Sequence, residues 1–210
     1  MLDWAVYIKI FTALLAIVNP IGVIPVFVSL TNNMSAQERR NIAKTTSVAV
    51  ALILIAATLI GTILLNFFGI SIDSFKVGGG ILLMLMAISM MQAKNIQGRQ
   101  TPEEATEAED KKSIAVVPIA MPLLAGPGAI STVIIYSHAS FQPLHIGLII
   151  FITLLVALLT WVALLVADPI SKMMSKTAIN IATRLMGLLL AAISVEFIAG
   201  GLVHLFPALK

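Results

Sequence analysis

The feature that most constrains the fold is a series of six apolar stretches, each long enough to cross a bilayer as a helix. They lie near 9–30, 47–69, 75–93, 114–137, 144–167 and 185–206. A helix needs about 20 predominantly apolar residues to span a hydrocarbon core of about 30 Å. Six such spans account for most of the 210 residues. We therefore predict an all-α integral membrane protein with six transmembrane helices, short loops and no soluble domain.

The composition excludes several classes of protein. Only 11% of the residues are charged, whereas a soluble domain has roughly 25%, so there is too little polar surface for a water-soluble globule. The absence of cysteine excludes a disulfide scaffold and a Cys-ligated zinc site, and the three histidines match no zinc-binding pattern. The basic residues form no basic face, and no catalytic motif is present. We therefore expect no nucleic-acid partner, no enzymatic activity, no metal and no cofactor.

The distribution of basic residues predicts the orientation in the membrane. If the loops are assigned to alternating sides, the positive residues concentrate on one side, which the positive-inside rule places in the cytoplasm. Ten of the thirteen Lys and Arg residues lie there: Arg39, Arg40, Lys44, Lys94, Arg99, Lys111, Lys112, Lys172, Lys176 and Arg184. We therefore predict that loops 31–46, 94–113 and 168–184 are cytoplasmic and that both termini face the outside.

The two halves of the chain resemble each other weakly but in the same order. Asn19-Pro20-Ile21-Gly22 in the first span corresponds to Gly126-Pro127-Gly128-Ala129 in the fourth, so that Pro20 aligns with Pro127. Because each half contains three spans, the second half must be inverted relative to the first. We predict two inverted three-helix repeats, 1–93 and 114–210, joined by a charged cytoplasmic linker over 94–113.

Proline and glycine interrupt the first and fourth spans at corresponding places. A proline inside a helix removes one backbone hydrogen bond, and in hydrocarbon the freed groups need other partners. Paired interruptions of this kind point to a binding site near the midplane of a transporter. Helix N-termini there would attract a carboxylate, and carbonyl groups at helix C-termini would suit an ammonium group or a cation. A zwitterionic amino acid matches both. The alternative is a pair of plain proline kinks that neighbouring helices repair.

Three polar residues inside the spans are further candidates. Glu196 lies near the middle of the sixth span, where a carboxylate costs about 2.5–3.5 kcal/mol to insert. We expect Glu196 to face the interior of the bundle and to bind a coupling proton or the substrate's ammonium group; the alternative is a structural acid that holds helices together. Asn19 either lines the site or caps the interrupted helix. Ser131, one turn past Gly128, either lines the site or bonds back to the helix backbone.

The segments that carry the prolines resemble the signatures of a known family. Asn19-Pro20-Ile21-Gly22-Val23-Ile24-Pro25-Val26-Phe27 is similar to the first-span signature of the MarC family of bacterial inner-membrane proteins, also called the neutral amino acid transporter (SnatA-like) family. The segment from Pro118 to Ile130 is similar to its fourth-span signature, and the segment from Arg184 to Ala191 to its sixth-span segment. The resemblance implies two inverted three-helix repeats, in which the interruptions of helices 1 and 4 comprise Asn19, Pro20, Gly22, Pro25, Pro122, Gly126, Pro127 and Gly128.

The resemblance also implies a function. It implies a secondary transporter that moves small neutral amino acids such as glycine and alanine across the bacterial inner membrane, with a proton or sodium gradient as the driving force. Glycines at the interruptions would let the backbone approach a small substrate closely. The alternatives are an exporter of another small metabolite or drug with the same fold, a non-transporting membrane scaffold, and a passive channel.

Overall fold

The computed structural model describes residues 4–31, 34–92, 115–140, 142–173 and 176–206. In these residues the regular secondary structure is helical, and there is no strand. In chain order the helices are α1 (Trp4–Val18), α2 (Ile24–Leu30), α3 (Ala36–Phe67), α4 (Ile72–Met91), the π-helical α5 (Ala115–Leu124), α6 (Pro127–His138), α7 (Pro143–Leu165), α8 (Ala167–Met173) and α9 (Lys176–Leu205). The prediction of an all-α chain is confirmed for this part of the protein.

Four helices are long and apolar enough to cross a membrane: α3, α4, α7 and the Arg184–Leu205 part of α9. They correspond to the second, third, fifth and sixth predicted stretches. The first stretch consists of α1 and α2, separated by 19–23, and the fourth consists of α5 and α6, separated by 125–126. The apolar helix α1 has 15 residues and is therefore roughly 22 Å long, which is shorter than a hydrocarbon core of about 30 Å.

α3 begins well before the apolar stretch that predicted it. Ser35 Oγ accepts a hydrogen bond from the Glu38 N–H at 3.3 Å, and the Glu38 carboxylate accepts one from the Ser35 N–H at 2.8 Å. This capping box starts the helix within polar sequence. The predicted loop 31–46 is therefore wrong from residue 36 onwards, because hydropathy marks the membrane-embedded part of a helix and misses its polar extension.

The predicted loop 168–184 is wrong for the same reason. Helix α8 covers Ala167–Met173, and α9 begins at Lys176 and continues into the last apolar stretch. Polar residues such as Arg184 therefore lie on helices. The predicted linker 94–113 lies outside the described residues, so the division of the chain at that linker stays a prediction.

Glycines allow α4 and α9 to pack closely along most of their lengths. A Cβ atom built on Gly80 would lie 3.0 Å from the Ser194 carbonyl oxygen, and one built on Gly187 would lie 3.0 Å from the Ala87 carbonyl oxygen. The order of these contacts makes the two helices antiparallel. Small residues at helix crossings permit such close backbone approach in membrane proteins.

The centre of the bundle is occupied by α1, α5 and α6. Helix α6 packs against both α3 and α4, while α1 packs against α6, α7 and α9. Helix α5 packs on α3, where the buried hydroxyl of Thr46 donates a hydrogen bond to the Ala115 carbonyl at 2.9 Å. The fully buried side chains of Leu14, Leu83 and Ile119 belong to this region. The ends of α1 and α6 therefore lie inside the protein.

The two ends of the bundle are held by different contacts. Helices α1, α4 and α7 begin at one end, where α9 finishes, and we call this the N-terminal end. At the opposite end, Arg39 of α3 forms an ion pair with Asp168 of α8. The Arg39 Nε also donates a hydrogen bond to the Thr31 carbonyl, just past α2, at 3.0 Å. One side chain thus joins α3, α8 and the end of α2.

We expect Arg39→Ala to destabilise the opposite end of the bundle by about 1.5 kcal/mol. Hydrogen bonds to charged groups contribute about 1.5–3 kcal/mol, and the Asp168 side chain is 41% exposed, which favours the lower figure. Thermal unfolding in detergent, followed by circular dichroism, would measure the loss. Arg40→Ala is the matched control, because Arg40 is adjacent to Arg39 in the sequence and its side chain is exposed. Equal midpoints for the two variants would contradict this role of Arg39.

Candidate functional site

The first interruption, 19–23, is a tight turn between α1 and α2. Asn19 adopts a left-handed backbone conformation (φ 48°), and its N–H donates to the Leu15 carbonyl at 2.9 Å. The Asn19 side-chain oxygen accepts a hydrogen bond from the Gly22 N–H at 3.1 Å. Asparagine visits this conformation more readily than most residues because its side chain can bond locally. Asn19 is half-buried and caps the turn, which is the second of the two roles predicted for it.

Glycine and proline complete the first interruption. A Cβ atom on Gly22 would lie 2.1 Å from Asn19 Nδ2, so any larger residue would displace the capping side chain. Pro20 is buried within the turn. Pro25 is the second residue of α2. In the first helical turn an N–H group would have no intrahelical acceptor, so proline costs no hydrogen bond there.

The second interruption, 125–126, separates α5 from α6. The Ala125 N–H donates to the Ala120 carbonyl, five residues back, at 2.8 Å. Pro122 lies within α5 and supplies no N–H donor, so a normal α-helical ladder cannot pass through it. Gly126 then takes an extended conformation (φ −75°, ψ 176°), and Pro127 opens α6, at the position where proline is best tolerated.

The structure brings the two interruptions together. A Cβ atom on Gly128 would lie 2.5 Å from Leu83 Cδ2 and 3.5 Å from Ile17 Cγ2. The second residue of α6 is therefore in contact with both α4 and the last turn of α1. Gly126 and Gly128 are buried, whereas Pro127 is exposed. The predicted groups around Asn19 and around Pro127 thus lie at adjacent helix ends in the centre of the bundle.

These adjacent helix ends have opposite polarity. The carboxyl end of α1 carries the negative end of its helix dipole, and the amino end of α6 carries the positive end. Gly126 provides no side-chain cap for α6, and the first N–H groups of a helix have no intrahelical acceptor. Backbone carbonyls, which bind cations, therefore lie near backbone N–H groups, which bind anions.

Ser131 takes the second of its two predicted roles. Its Oγ donates a hydrogen bond to the Pro127 carbonyl at 2.6 Å, and the residue is buried. A Cβ atom on Gly79 of α4 would lie 2.8 Å from Ser131 Cβ. Ser131 therefore lies at the contact between α6 and α4, one turn beyond Gly128, with its hydroxyl bonded to its own helix.

The expectation that Glu196 faces the interior of the bundle is wrong. Its side chain is 61% exposed, and Oε2 lies 2.9 Å from Lys9 Nζ. On the same helix Ser194 and Phe197 are buried. Hydropathy places a residue along a span, whereas the direction of its side chain depends on which helix face packs against the neighbours, so the sequence pattern could not show this.

A chain of polar contacts at the N-terminal end was missed by the sequence analysis. The Tyr7 hydroxyl lies 2.9 Å from His145 Nδ1, and His145 Nε2 lies 2.9 Å from the Tyr136 carbonyl. Because a carbonyl can only accept, His145 Nε2 is the donor in the contact with Tyr136. These contacts join α1, α7 and α6. Tyr7 and His145 lie in different halves of the chain, and no local pattern links them.

Comparison with known proteins decides the family. The family model described as "MarC family integral membrane protein" matches residues 4–206, which include both interruptions and every helix from α1 to α9. The chain belongs to the MarC family. The resemblance of the proline-containing segments is thereby confirmed, and this MarC protein is an integral membrane protein.

Relatives of this MarC protein match it over nearly their whole length. A UPF0056 membrane protein of Buchnera aphidicola subsp. Acyrthosiphon pisum is 42% identical over 210 residues, which is 99% of this chain and 96% of the relative. The UPF0056 membrane protein YhcE of Escherichia coli K12 is 41% identical over 208 residues, with the same coverage. One from Methanocaldococcus jannaschii is 37% identical over 202 residues, 96% of this chain and 98% of the relative. No solved structure shows a significant match.

Proposed function

We propose that this MarC protein is a secondary transporter of small neutral amino acids, such as glycine and alanine, in the bacterial inner membrane. The observation that carries the proposal is the meeting of the α1 carboxyl end with the α6 amino end, where Gly128 lies against Ile17. Interrupted helices form substrate sites of this kind in transporters built from inverted repeats. The carbonyls of α1 would receive the ammonium group, and the N–H groups of α6 would receive the carboxylate.

The order of the helices supports an inverted repeat in which Pro20 aligns with Pro127. We call the sequence shift that produces this alignment the repeat offset. At the repeat offset the short pair α1 and α2 corresponds to α5 and α6. The long helix α3 corresponds to α7 with α8, and α4 corresponds to α9. Each half therefore has an interrupted helix followed by two long ones.

The contacts between α4 and α9 support the same repeat offset. It aligns Gly80 with Gly187 and Ala87 with Ser194. Gly80 approaches the Ser194 carbonyl, and Gly187 approaches the Ala87 carbonyl, both at 3.0 Å from the built Cβ atom. A two-fold axis that exchanges the halves converts one contact into the other. This is the symmetry that an alternating-access transporter of the inverted-repeat type requires.

The glycines at the two interruptions favour small substrates. A methyl group at Gly128 would already collide with Leu83, and one at Gly22 would collide with Asn19. Glycine at these positions lets the helix ends pack against Leu83 and Asn19, and it adds no side chain of its own to the site. Glycine and alanine carry the required ammonium and carboxylate groups on the smallest frames.

We assign the N-terminal end of the bundle to the periplasm, since ten of the thirteen basic residues lie on the other side of the predicted spans. The coupling ion in this scheme is a proton or sodium. Glu196 remains the candidate for coupling because its carboxylate is accessible, but its cationic partner in this structure is Lys9. Contact with the substrate is assigned to the backbone at the two interruptions.

Uptake of radiolabelled glycine and alanine into proteoliposomes tests the proposal. With an imposed proton or sodium gradient, we expect saturable uptake that excess unlabelled alanine abolishes, and no uptake by protein-free vesicles. The ion whose gradient drives uptake is the coupling ion. No uptake in either membrane orientation, from protein shown to be folded, would contradict the assignment of small amino acids. A blind substrate panel would then test export of another metabolite or drug.

A further inference from the structure

The ion pair between Lys9 and Glu196 joins the two halves of the chain. Lys9 lies on α1 and Glu196 on α9, with 2.9 Å between Nζ and Oε2. Their side chains are 59% and 61% exposed. The pair lies at the N-terminal end of the bundle, on the side of α1 that also carries the exposed Thr12 and the half-buried Ala16, and the half-buried Asn19 follows directly after α1. These residues follow one another at helical spacing, so one face of α1 leads from Lys9 to the first interruption.

The depth of the pair is measured from the interruptions, which the proposed function places near the midplane. Leu83 touches Gly128 at the level of the interruptions, and Leu190, its counterpart at the repeat offset, is equally buried. Glu196 lies beyond Leu190 on α9 and is therefore about 9 Å from this level along the helix. Half of the hydrocarbon core is about 15 Å. Charged side chains within a membrane span almost always face the bundle interior or a water-filled cavity, and Glu196 does not face the interior, so we place the pair beside a water-filled cavity.

Other close contacts surround the pair at the same end. The rings of Tyr136 and Phe197 pack edge to face with centroids 6.1 Å apart, which joins α6 to α9. Gly79 and Ser131 bring α4 against α6. These contacts and the ion pair together connect α1, α4, α6 and α9 between the interruptions and the N-terminal end.

The opposite end has a different arrangement, in which the ion pair between Arg39 and Asp168 joins α3 to α8. At the repeat offset, Lys9 corresponds to Val116 and Glu196 to Ser89, so no ion pair can form between these two positions. The counterpart of the α4–α6 contact would join α9 to α2, but in the described part of the chain α2 packs chiefly on α7 and α8. Within the described residues, these linked contacts are therefore present at the N-terminal end only.

We infer that the Lys9–Glu196 ion pair is a gate that closes the path from the N-terminal end of the bundle to the site between the two interruptions. The inference rests on the proposed transport function, which requires such a path to open and close in turn. The pair links the two halves where their relative movement would open the path. Glu196 thus acts on access to the site and makes no contact with the substrate in the closed state.

Cysteine labelling tests the gate without a substrate, because the native chain contains no cysteine. The reporter is Ala16→Cys, two helical turns beyond Lys9 on the same face of α1. A second reporter, Val6→Cys, is exposed before the gate and identifies the side of the membrane from which a membrane-impermeant maleimide must be added. From that side we expect slow labelling of A16C in the otherwise native protein and roughly fivefold faster labelling when Lys9→Ala or Glu196→Gln removes the pair.

Two further variants make the test specific. The exchange Lys9→Glu with Glu196→Lys restores opposite charges and should restore slow labelling, while Glu196→Asp keeps the charge on a shorter side chain and should give an intermediate rate. Lys76→Ala is the control, because it removes an ion pair within α4 (Lys76 to Asp73, 3.0 Å) at the same end of the bundle. It should leave the labelling of A16C unchanged.

Unchanged labelling of A16C in K9A, E196Q and E196D, with V6C labelled normally, would overturn the gate. Equal acceleration by K76A would also overturn it, since general loosening would then explain the effect. Labelling does not depend on transport, so the two proposals can fail separately. If the native protein takes up amino acids but the variants label A16C at the native rate, the gate is wrong and the proposed function stands. Conversely, gated labelling in a protein that transports no amino acid contradicts the substrate assignment alone.

Discussion

Gly80→Leu should force α4 and α9 apart and destabilise the bundle by about 3 kcal/mol, the upper part of the range for overpacked interiors. A Cβ atom at Gly80 would lie 2.7 Å from Ile198 Cγ1, 3.0 Å from the Ser194 carbonyl oxygen and 3.1 Å from the Ile198 nitrogen. The Ile198 side chain can move, but the two backbone atoms belong to a helix that must shift as a whole. Helix association within lipid depends on this kind of packing, since lipid tails are as apolar as the helix surfaces.

The matched control for Gly80→Leu is Gly78→Leu, slightly earlier on α4. Gly78 is exposed, and a Cβ atom there meets no atom within 4 Å. We expect G78L to retain the thermal midpoint of the native protein in detergent and G80L to unfold at a markedly lower temperature or to elute as aggregate on size exclusion. Similar midpoints for G78L and G80L would show that the close approach of α4 and α9 adds nothing to stability.

Gly187→Leu extends the same experiment to the second half of the chain. Gly187 faces the Ala87 carbonyl as Gly80 faces the Ser194 carbonyl, both at 3.0 Å. If the halves are related by the repeat offset, the two leucine variants should be destabilised to a similar degree. A large loss in one variant and none in the other would argue against this alignment of the halves.

The positions of the long apolar helices could be predicted from the sequence because a helix must be long and apolar to cross a bilayer. The sixth apolar stretch, near 185–206, coincides with the end of α9, and the fifth, near 144–167, coincides with α7. The polar beginnings of α3 and α9 could not be predicted in this way. A capping box such as Ser35 with Glu38 is a local signal that hydropathy does not measure.

Proline and glycine act on the backbone of their own segment, so the sequence could point to 19–23 and 125–126 as places where helices end. Asn19 and Gly126 lie where the helices stop, as the chemistry of these residues requires. The contacts between distant segments could not be predicted. Lys9 and Glu196 lie near opposite ends of the sequence, and their pairing depends on how α1 packs against α9. The position of Glu196 in the sequence predicts a side chain in the interior, whereas in the fold Ser194 and Phe197 point inward.

Asn19→Val should disrupt the first interruption and reduce amino acid uptake by about tenfold or more. A left-handed conformation costs a residue with a Cβ roughly 1–2 kcal/mol, and β-branching makes it less favourable still. Valine also removes the side-chain acceptor of the Gly22 N–H, a hydrogen bond of 3.1 Å that contributes at most about 1 kcal/mol, since the same N–H keeps the Asn19 backbone carbonyl as an acceptor at 3.1 Å. Since about 1.4 kcal/mol corresponds to a factor of ten in an equilibrium constant, the combined cost is sufficient to shift the turn out of its functional conformation.

Two other substitutions at Asn19 separate the backbone from the side chain. Asn19→Asp keeps a side-chain acceptor for the Gly22 N–H. Asn19→Gly keeps the left-handed conformation without strain but loses the side-chain acceptor. If the backbone at the interruption binds the substrate, uptake should follow the conformation of the turn, so N19G should transport far better than N19V and N19D better than both. The same low uptake in N19G and N19V, from folded protein, would mean that the asparagine side chain itself contacts the substrate. Full activity in N19V would show that the interruption of α1 does not form the site.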